Sequence, residues 1–230
     1  AFSTLSELLQ NRVAVATEMK ETLKKTDLLV FTLGLTELWK SKEEEILPVC
    51  PGVSAGQFDG NKHHFYNLSF KDVSKDLLEI EALCNELNPS MKILLTLSPV
   101  PLTATASKEH ILVASMQSKA ILRAAIAEHV NKSEISSYFP SYEIITHNQK
   151  GDWRFNDNLR TVSTKGVGLV MMHAINEKPD ILSINELEVQ CEEQKLETLS
   201  QIKNCPTYSS IFLIGDSHLG FVGNALKERD

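Results

Sequence analysis

Apolar positions along this chain alternate between stripes at helical spacing and short runs of strand length. The first stripe predicts a helix that begins after Ser3 or Ser6 and ends at about Lys25. Either serine can cap it, since its hydroxyl can accept a backbone N–H of the first turn. The helix leads directly into the apolar run Leu28–Phe31, which predicts a buried strand.

The same alternation continues along the next 150 residues. Helices are predicted over Ser69–Leu87, Lys108–His129 and Gly166–Asn176, and strands over Lys92–Leu97 and Tyr138–Ile145. The stretch Lys40–Asn67, rich in Gly, Pro, His and Asn, is expected to be irregular and to cross the strand ends. Helices and strands in alternation predict a parallel sheet with helices on its faces.

The last fifty residues repeat the pattern after an acidic segment. Ser183–Lys203 is predicted to be an acidic helix, and Ser210–Gly215 a strand. A tight turn with Asp216, Ser217 and His218 follows, and then a predicted helix.

Composition narrows the class of protein. A net charge of -7 without clustered Lys and Arg argues against a nucleic-acid surface. The four cysteines are widely spaced, which predicts free thiols in a reducing compartment and hence a cytoplasmic protein. No apolar run reaches the length that spans a membrane, and no cofactor or metal site is predicted. Adjacent histidines such as His63 and His64 point to opposite sides of an extended chain.

Polar residues follow the first predicted strand. Thr32–Gly34 ends the Leu28–Phe31 run, and Thr36 and Glu37 come next. Ligands of open α/β sheets bind beyond the carboxyl ends of the strands, so these residues are candidates for a site. The alternative is an ordinary loop that follows a core strand.

Ser217 lies where a nucleophile is often found, between a strand and a helix. Gly215 permits a tight turn, and the N–H groups of a helix N-terminus can stabilise an oxyanion. The same serine can equally be a plain N-cap. His218 is a poor base for its own neighbour, because consecutive side chains at a helix start diverge.

Six segments resemble one known family in order and spacing. They are TLGLTELW from Thr32, HHFYNLSFKDV from His63, LNP from Leu87, LTLSPVPLTAT from Leu95, SKAILRAA from Ser118 and YFPSYEI from Tyr138. They resemble the GSCFA family of SGNH-hydrolase-like proteins over about Ala1–Asn176. The resemblance implies a flavodoxin-like three-layer α/β/α sandwich with about five mostly parallel strands. It also implies an esterase or acyl-transfer site.

The family's nucleophile turn, GSCFA, does not precede Phe2, so we expect the chain to start just after that region. Ile211–Glu228 resembles the missing strand, turn and helix at the other end of the chain. Either the protein is circularly permuted or a second domain begins there, and in both cases we expect the strand to fill the vacant position in the sheet. The expected domains are residues 1–176, an acidic linker at 177–209, and residues 210–230.

The family's late Asp-x-x-His falls at Asp157 to Arg160, so an arginine stands where the catalytic histidine is expected. Arginine stays protonated and cannot serve as the base. Asp157 remains a candidate catalytic residue, and His147 or His173 could replace the missing base.

Gly34, Thr36 and Glu37 resemble the Gly-x-Asn-Asp block of SGNH proteins, in which an Asn donates to the oxyanion. The Thr36 hydroxyl could donate instead, whereas a charged Glu37 would repel an oxyanion. The alternative is that these residues tie down the neighbouring loop.

Three functions remain open from the sequence. The leading hypothesis is a serine esterase or O-acyltransferase with Ser217 as nucleophile, acting on a small or carbohydrate-linked acyl ester. The second is a binding module whose crevice, lined by Arg160, Glu37 and Tyr142, holds a carbohydrate or an anion. The third is a scaffold that docks through the acidic segment. Neither a nucleic-acid nor a membrane partner is expected, and the oligomeric state stays open.

Overall fold

The computed structural model describes residues 4–47, 49–53, 56–147, 153–175 and 210–215. These residues form a mixed α/β structure with a parallel sheet and a separate small antiparallel sheet. The helices are α1 (Leu5–Leu23), α2 (Phe70–Leu87), α3 (Ile111–Val130), α4 (Ser141–Thr146) and α5 (Thr164–Ile175). The strands are β1 (Leu28–Leu33), β2 (Glu37–Ser41), β3 (Ile46–Leu47), β4 (His63–Asn67), β5 (Lys92–Leu97), β6 (Ser136–Phe139) and β7 (Ile211–Gly215).

The parallel sheet has the strand order β6-β5-β1-β7. Leu33 of β1 lies beside Leu97 of β5, and Thr32 lies beside Gly215 of β7. All four strands run in the same direction, so their carboxyl ends meet at one edge. The described residues thus include four parallel strands, and the resemblance implied about five.

The core lies between one face of this sheet and helices α2 and α3. Alternate residues of β1 and β5 point into it, as the period of two in a strand requires. The core side chains on these strands are Leu29, Phe31, Leu33, Ile93, Leu95 and Leu97. Helix α2 contributes Val73, Leu77, Ile80 and Cys84, which recur at helical spacing.

Helix α2 begins and ends close to its predicted limits. Ser69 accepts the N–H of Asp72 through its hydroxyl, and Asp72 accepts the N–H of Ser69, which forms a capping box. Asn88 ends the helix and donates to the carbonyl of Thr26, thereby fixing the approach to β5. Strand β5 has the predicted limits, Lys92–Leu97.

Helix α1 differs from its prediction at both its cap and its packing. The N-cap is Thr4, not Ser3 or Ser6, and its hydroxyl accepts the N–H of Glu7. The apolar stripe near the helix start is largely exposed, and Leu23 is the buried residue of this helix. The helix is therefore anchored at its carboxyl end, where it enters β1.

Two parts of the expected secondary structure were wrong. Residues 40–67 are not simply irregular, because β2, β3 and β4 form an antiparallel sheet in the order β3-β2-β4. Tyr138–Ile145 is not one strand: β6 ends at Phe139, and α4 starts after Pro140. Proline lacks an N–H for a strand ladder but its fixed φ suits the start of a helix.

A polar cluster fixes α2, α3 and β6 at the amino end of β6. One carboxylate oxygen of Glu81 accepts the hydroxyls of Ser133 and Ser136 at 2.6 and 2.5 Å, and lies 2.8 Å from Nε2 of His129. Burial raises the pKa of Glu81, but the two serine hydrogen bonds and His129 outweigh it and leave that pKa below its usual value. Glu81 is thus held in its charged form.

Two of the four cysteines lie in the described part of the chain. Cys84 is buried and Cys50 is half-buried, and both are free thiols, whereas Cys191 and Cys205 lie outside the described residues. Burial, and to a lesser degree Glu81, raises the pKa of the Cys84 thiol to about 11.

Across the described ranges, no helix combines the length and the apolarity needed to cross a bilayer.

Candidate functional site

The carboxyl edge of the parallel sheet brings the predicted loop residues together. Gly34 follows β1 directly, and the chain after β5 is tied to it because the N–H of Ser98 donates to the carbonyl of Leu33 at 2.9 Å. The last residue of β7, Gly215, pairs with Thr32, two residues before Gly34. The ends of three strands therefore meet within a few residues of Gly34.

A buried lysine holds the first peptide after β1. Lys119 of α3 is only 4% exposed, and its ammonium donates to the carbonyl oxygen of Gly34 at 2.8 Å. A charge is costly to bury unless it is hydrogen-bonded, so this contact is strongly specified. Because the Gly34–Leu35 peptide is trans, the Leu35 N–H points away from Lys119. No acceptor for that N–H is found within the described ranges.

Thr36 is tied to α3 as well. Its hydroxyl lies 2.7 Å from the hydroxyl of Ser118, and both residues are fully buried. The Thr36 carbonyl accepts the N–H of Leu68 at 2.8 Å, which links the start of β2 to the residue after β4. The Thr36 side chain therefore faces α3 and fixes the loop. This agrees with the alternative that Thr36 ties down its neighbouring loop.

Glu37 and Arg160 converge on the loop that follows β5. A carboxylate oxygen of Glu37 accepts the hydroxyl of Thr105 at 2.6 Å. Arg160 donates to the hydroxyl of Thr103 through Nη2. Its Nε atom is buried, and within the described residues it has no hydrogen-bond partner. Two opposite charges are thus held within three residues of one loop.

Most of these groups lie in a segment that matches one family. Residues 2–173 match the model of the GSCFA family. The chain belongs to the GSCFA family. The matched part includes Gly34, Thr36, Glu37, Asp157 and Arg160, whereas β7 follows it. No curated protein and no solved structure matches the chain significantly.

The last part of the GSCFA match contains the turn that carries Asp157 and Arg160. Asp157 is exposed. Asn158 accepts the N–H groups of Arg160 and Thr161 through its side chain, and Leu159 has a φ of 53°, so the turn is tightly specified. Arg160, by contrast, reaches the loop after β5, where it donates to the hydroxyl of Thr103.

The candidate bases are scattered within the GSCFA part of the chain. His147 is exposed at the end of α4, and the ring of His173 lies 2.9 Å from the carbonyl of Leu169 in its own helix. His110, which the sequence analysis did not single out, caps α3 and accepts the N–H of Leu112. It stands at the N-terminus of α3, nine residues before Lys119.

Three predicted site residues cannot be placed: Asp216, Ser217 and His218 lie outside the described residues. The residues that the sequence analysis missed are Lys119 and Ser118, which hold Gly34 and Thr36 from behind. Both occur in the SKAILRAA segment, so the resemblance contained the signal. The helical pattern did not, because a lysine and a serine on an amphipathic helix are typical of a solvated face.

The adjacent histidines lie on opposite sides of β4, as expected. His63 accepts the N–H of Asp59 at 3.2 Å through Nδ1, whereas Nε2 of His64 lies 3.4 Å from a carboxylate oxygen of Glu44. Each ring thus has its own neighbour.

Proposed function

We propose that this GSCFA protein is a serine-dependent esterase or O-acyltransferase of the SGNH type, with a flavodoxin-like sandwich fold. Its substrate is a small or carbohydrate-linked acyl ester. Ser217 is the nucleophile, and the site lies at the carboxyl edge of the parallel sheet, where ligands of open α/β folds bind.

The register of β7 against β1 carries this proposal. Gly215 pairs with Thr32, so the chain leaves β7 beside the Gly34 loop. Ser217 is two residues further on, within about 7 Å of Gly215 even if the chain is fully extended. The proposed nucleophile therefore follows a strand that ends beside the end of β1.

The described groups suit the stabilisation of an oxyanion. When the Ser217 hydroxyl attacks the acyl carbon, the carbonyl oxygen becomes negative and needs donors already in position. The N–H of Leu35, turned outward by the bond between Lys119 and Gly34, is one donor, and the N–H of Ser217 is the second. Thr36 contributes by fixing the loop, since its hydroxyl is bound to Ser118.

The reaction then follows the usual course for a serine nucleophile. A base takes the hydroxyl proton, the tetrahedral intermediate releases the alcohol, and water or an acceptor alcohol cleaves the acyl-serine. His110, His147 and His173 are the candidate bases.

A second function is favoured by one specific observation. Arg160 and Glu37 are fixed on the same loop, and the buried Nε of Arg160 has no partner in the described part of the chain. A guanidinium held beside a carboxylate on one loop suits an anion or a sugar hydroxyl, so a binding module without turnover would use the same edge.

A fluorophosphonate probe, which reacts covalently with activated serines, separates the two functions. We expect the intact chain to be labelled at Ser217, as located by peptide mass spectrometry, and Ser217→Ala to remain unlabelled with an unchanged circular-dichroism spectrum. Ser6→Ala, which alters an exposed serine of α1, is the matched control and should keep the label. Absence of labelling in the intact chain, or equal labelling of Ser217→Ala, would refute the esterase and leave the binding module.

A further inference from the structure

The segment at residues 103–109, between β5 and α3, has little backbone support of its own. Just before it, the N–H of Leu102 donates to the hydroxyl of Ser115 on α3 at 3.0 Å. Just after it, His110 caps α3. Within the described part of the chain, the seven residues in between make no backbone–backbone hydrogen bond. Their position therefore depends on side chains.

Two charged side chains hold this segment from other elements. Nη2 of Arg160 donates to the hydroxyl of Thr103, and the hydroxyl of Thr105 donates to the carboxylate of Glu37 at 2.6 Å. Thr105 is braced in turn by Ser107, whose N–H donates to the Thr105 hydroxyl oxygen at 3.0 Å. Hydrogen bonds to ionised groups are stronger than neutral ones, so these two contacts set where the segment lies.

Glu37 joins the segment to the turn at residues 34–37. This turn carries the N–H of Leu35, and contacts from α3 already hold it at Gly34 and at Thr36. The bond from Thr105 holds its last residue, Glu37. The turn is thus fixed by α3 and by the 103–109 segment together.

We propose that Arg160 is a positioning residue for the Leu35 N–H. It acts through the segment, from Thr103 to Thr105 and from there to Glu37. Two residues of chain span at most about 7 Å, so a displacement at Thr103 reaches Thr105 with little slack. This inference rests on the proposed function for the role of Leu35, because an oxyanion donor stabilises the reaction only if it is already in place.

The alternative role for Arg160 is direct contact with an anionic part of the substrate. Nη2 is engaged with Thr103 and Nε is buried, so the side of the guanidinium formed by these two nitrogens faces the protein. The two roles also differ in what they require of Thr103. Positioning needs its hydroxyl, whereas contact with a ligand does not.

The rate of fluorophosphonate labelling at Ser217, measured against probe concentration, tests the proposal. We expect Arg160→Met, Thr103→Val and Thr105→Val each to lower the maximal rate about tenfold, while the concentration at half-maximal rate stays unchanged. Arg160→Met combined with Thr103→Val should be no slower than either change alone, since both remove one contact.

Two exposed residues of α1 provide matched controls. Arg12→Met removes a guanidinium, and Thr17→Val removes a hydroxyl that bonds within its own helix. Both variants should be labelled at the rate of the intact chain. All variants are compared by circular dichroism, so that a loss of folding is not read as a loss of positioning.

Two kinetic results would overturn the proposal. One is a wild-type maximal rate in Arg160→Met, Thr103→Val and Thr105→Val. The other is a raised half-maximal concentration in Arg160→Met together with normal labelling of Thr103→Val, which would assign Arg160 to the substrate.

Hydrogen exchange separates failure of this proposal from failure of the esterase. The amide of Thr36 donates to the hydroxyl of Ser118, so it reports on the turn without any reaction at Ser217. In Arg160→Met this amide should exchange about fivefold faster, with the amides of β5 unchanged. Faster exchange in a chain that the probe never labels would reject the esterase and keep Arg160 as the residue that fixes the turn. Unchanged exchange in a chain that is labelled would reject the role of Arg160 alone.

Discussion

The ammonium of Lys119 lies 2.8 Å from the carbonyl oxygen of Gly34 and so fixes the first peptide after β1. This contact connects the middle of α3 to the carboxyl edge of the sheet across 85 residues of sequence. It sets the direction of the Leu35 N–H, since the two groups of a trans peptide point opposite ways. A residue with no proposed contact to substrate thereby controls a proposed oxyanion donor.

Replacement of Lys119 tests whether this residue sets the direction of the Leu35 N–H. Lys119→Met keeps a long apolar stem but removes the donor to Gly34, so the peptide loses its fixed orientation. We expect the rate of fluorophosphonate labelling at Ser217 to fall about 100-fold, as for loss of an oxyanion donor. Lys132→Met removes an exposed lysine of the ion pair with Glu128 and should label normally. Equal rates in the two variants, with both folded, would show that Lys119 has no positioning role.

The pair Thr36 and Ser118 allows a double-mutant cycle in urea unfolding. Thr36→Val and Ser118→Ala each leave one buried hydroxyl without its partner and should cost about 1–3 kcal/mol of unfolding free energy. The double variant removes both hydroxyls and should cost less than the sum of the single changes. Strictly additive losses would mean that the two hydroxyls do not stabilise each other.

The Glu81 cluster predicts a pH dependence of stability. The pKa of Glu81 is below its ordinary value of 4.5 in the folded chain, so the charged form is favoured by folding. Its contribution is complete above the unfolded pKa and is lost as pH falls through the folded pKa. We expect the difference in unfolding free energy between wild type and Glu81→Gln to be at its full value above about pH 5.5 and to shrink as pH falls below about 4.5.

Urea unfolding at several pH values measures that difference. Glu128→Gln serves as the control, because Glu128 forms an exposed pair with Lys132 on one helix and should change stability little. A wild type minus Glu81→Gln difference that does not vary with pH would contradict the assignment.

Asp27 and Ser210 fasten β7 to the sheet. The carboxylate of Asp27 accepts the N–H of Ser210 at 2.9 Å, and the Ser210 hydroxyl accepts the N–H of Asp27 at 3.0 Å. Asp27→Ala should therefore lower hydrogen-exchange protection of the amides of β7 about tenfold, through the loss of roughly 1.4 kcal/mol. The amides of β5 report on global stability in the same experiment. Unchanged protection in β7 would show that strand pairing alone holds it.

The sequence predicted best those elements whose ends are marked by nearby residues and whose apolar positions match their packing. Helix α2 has a serine cap, a period of 3.6 and a terminating asparagine, and β5 is a run of six residues between a proline-containing turn and Ser98. Both were predicted almost residue for residue. These elements carry their boundary signals within a few residues of themselves.

The small antiparallel sheet and the contacts that hold the Gly34 loop join residues that are far apart in the sequence. Strands β2 and β4 pair across a connection of more than twenty residues, so no short hairpin turn marks them. Lys119 and Arg123 are charged residues on a helix, which is typical of a solvated face, yet the first reaches Gly34 and the second reaches Glu143. The direction of the Thr36 hydroxyl depends on Ser118, 82 residues away. Spacing along the sequence does not encode such contacts.

The pairing of β1 with β7 has a consequence for folding during synthesis. Asp27 and Ser210 are 183 residues apart, so β1 lacks its partner β7 until the residues of β7 have left the ribosome. At about 5–20 residues per second, that interval lasts on the order of 10–40 s. The nascent chain therefore presents an open, apolar strand edge for many seconds, which is the kind of surface that chaperones bind and that aggregation exploits.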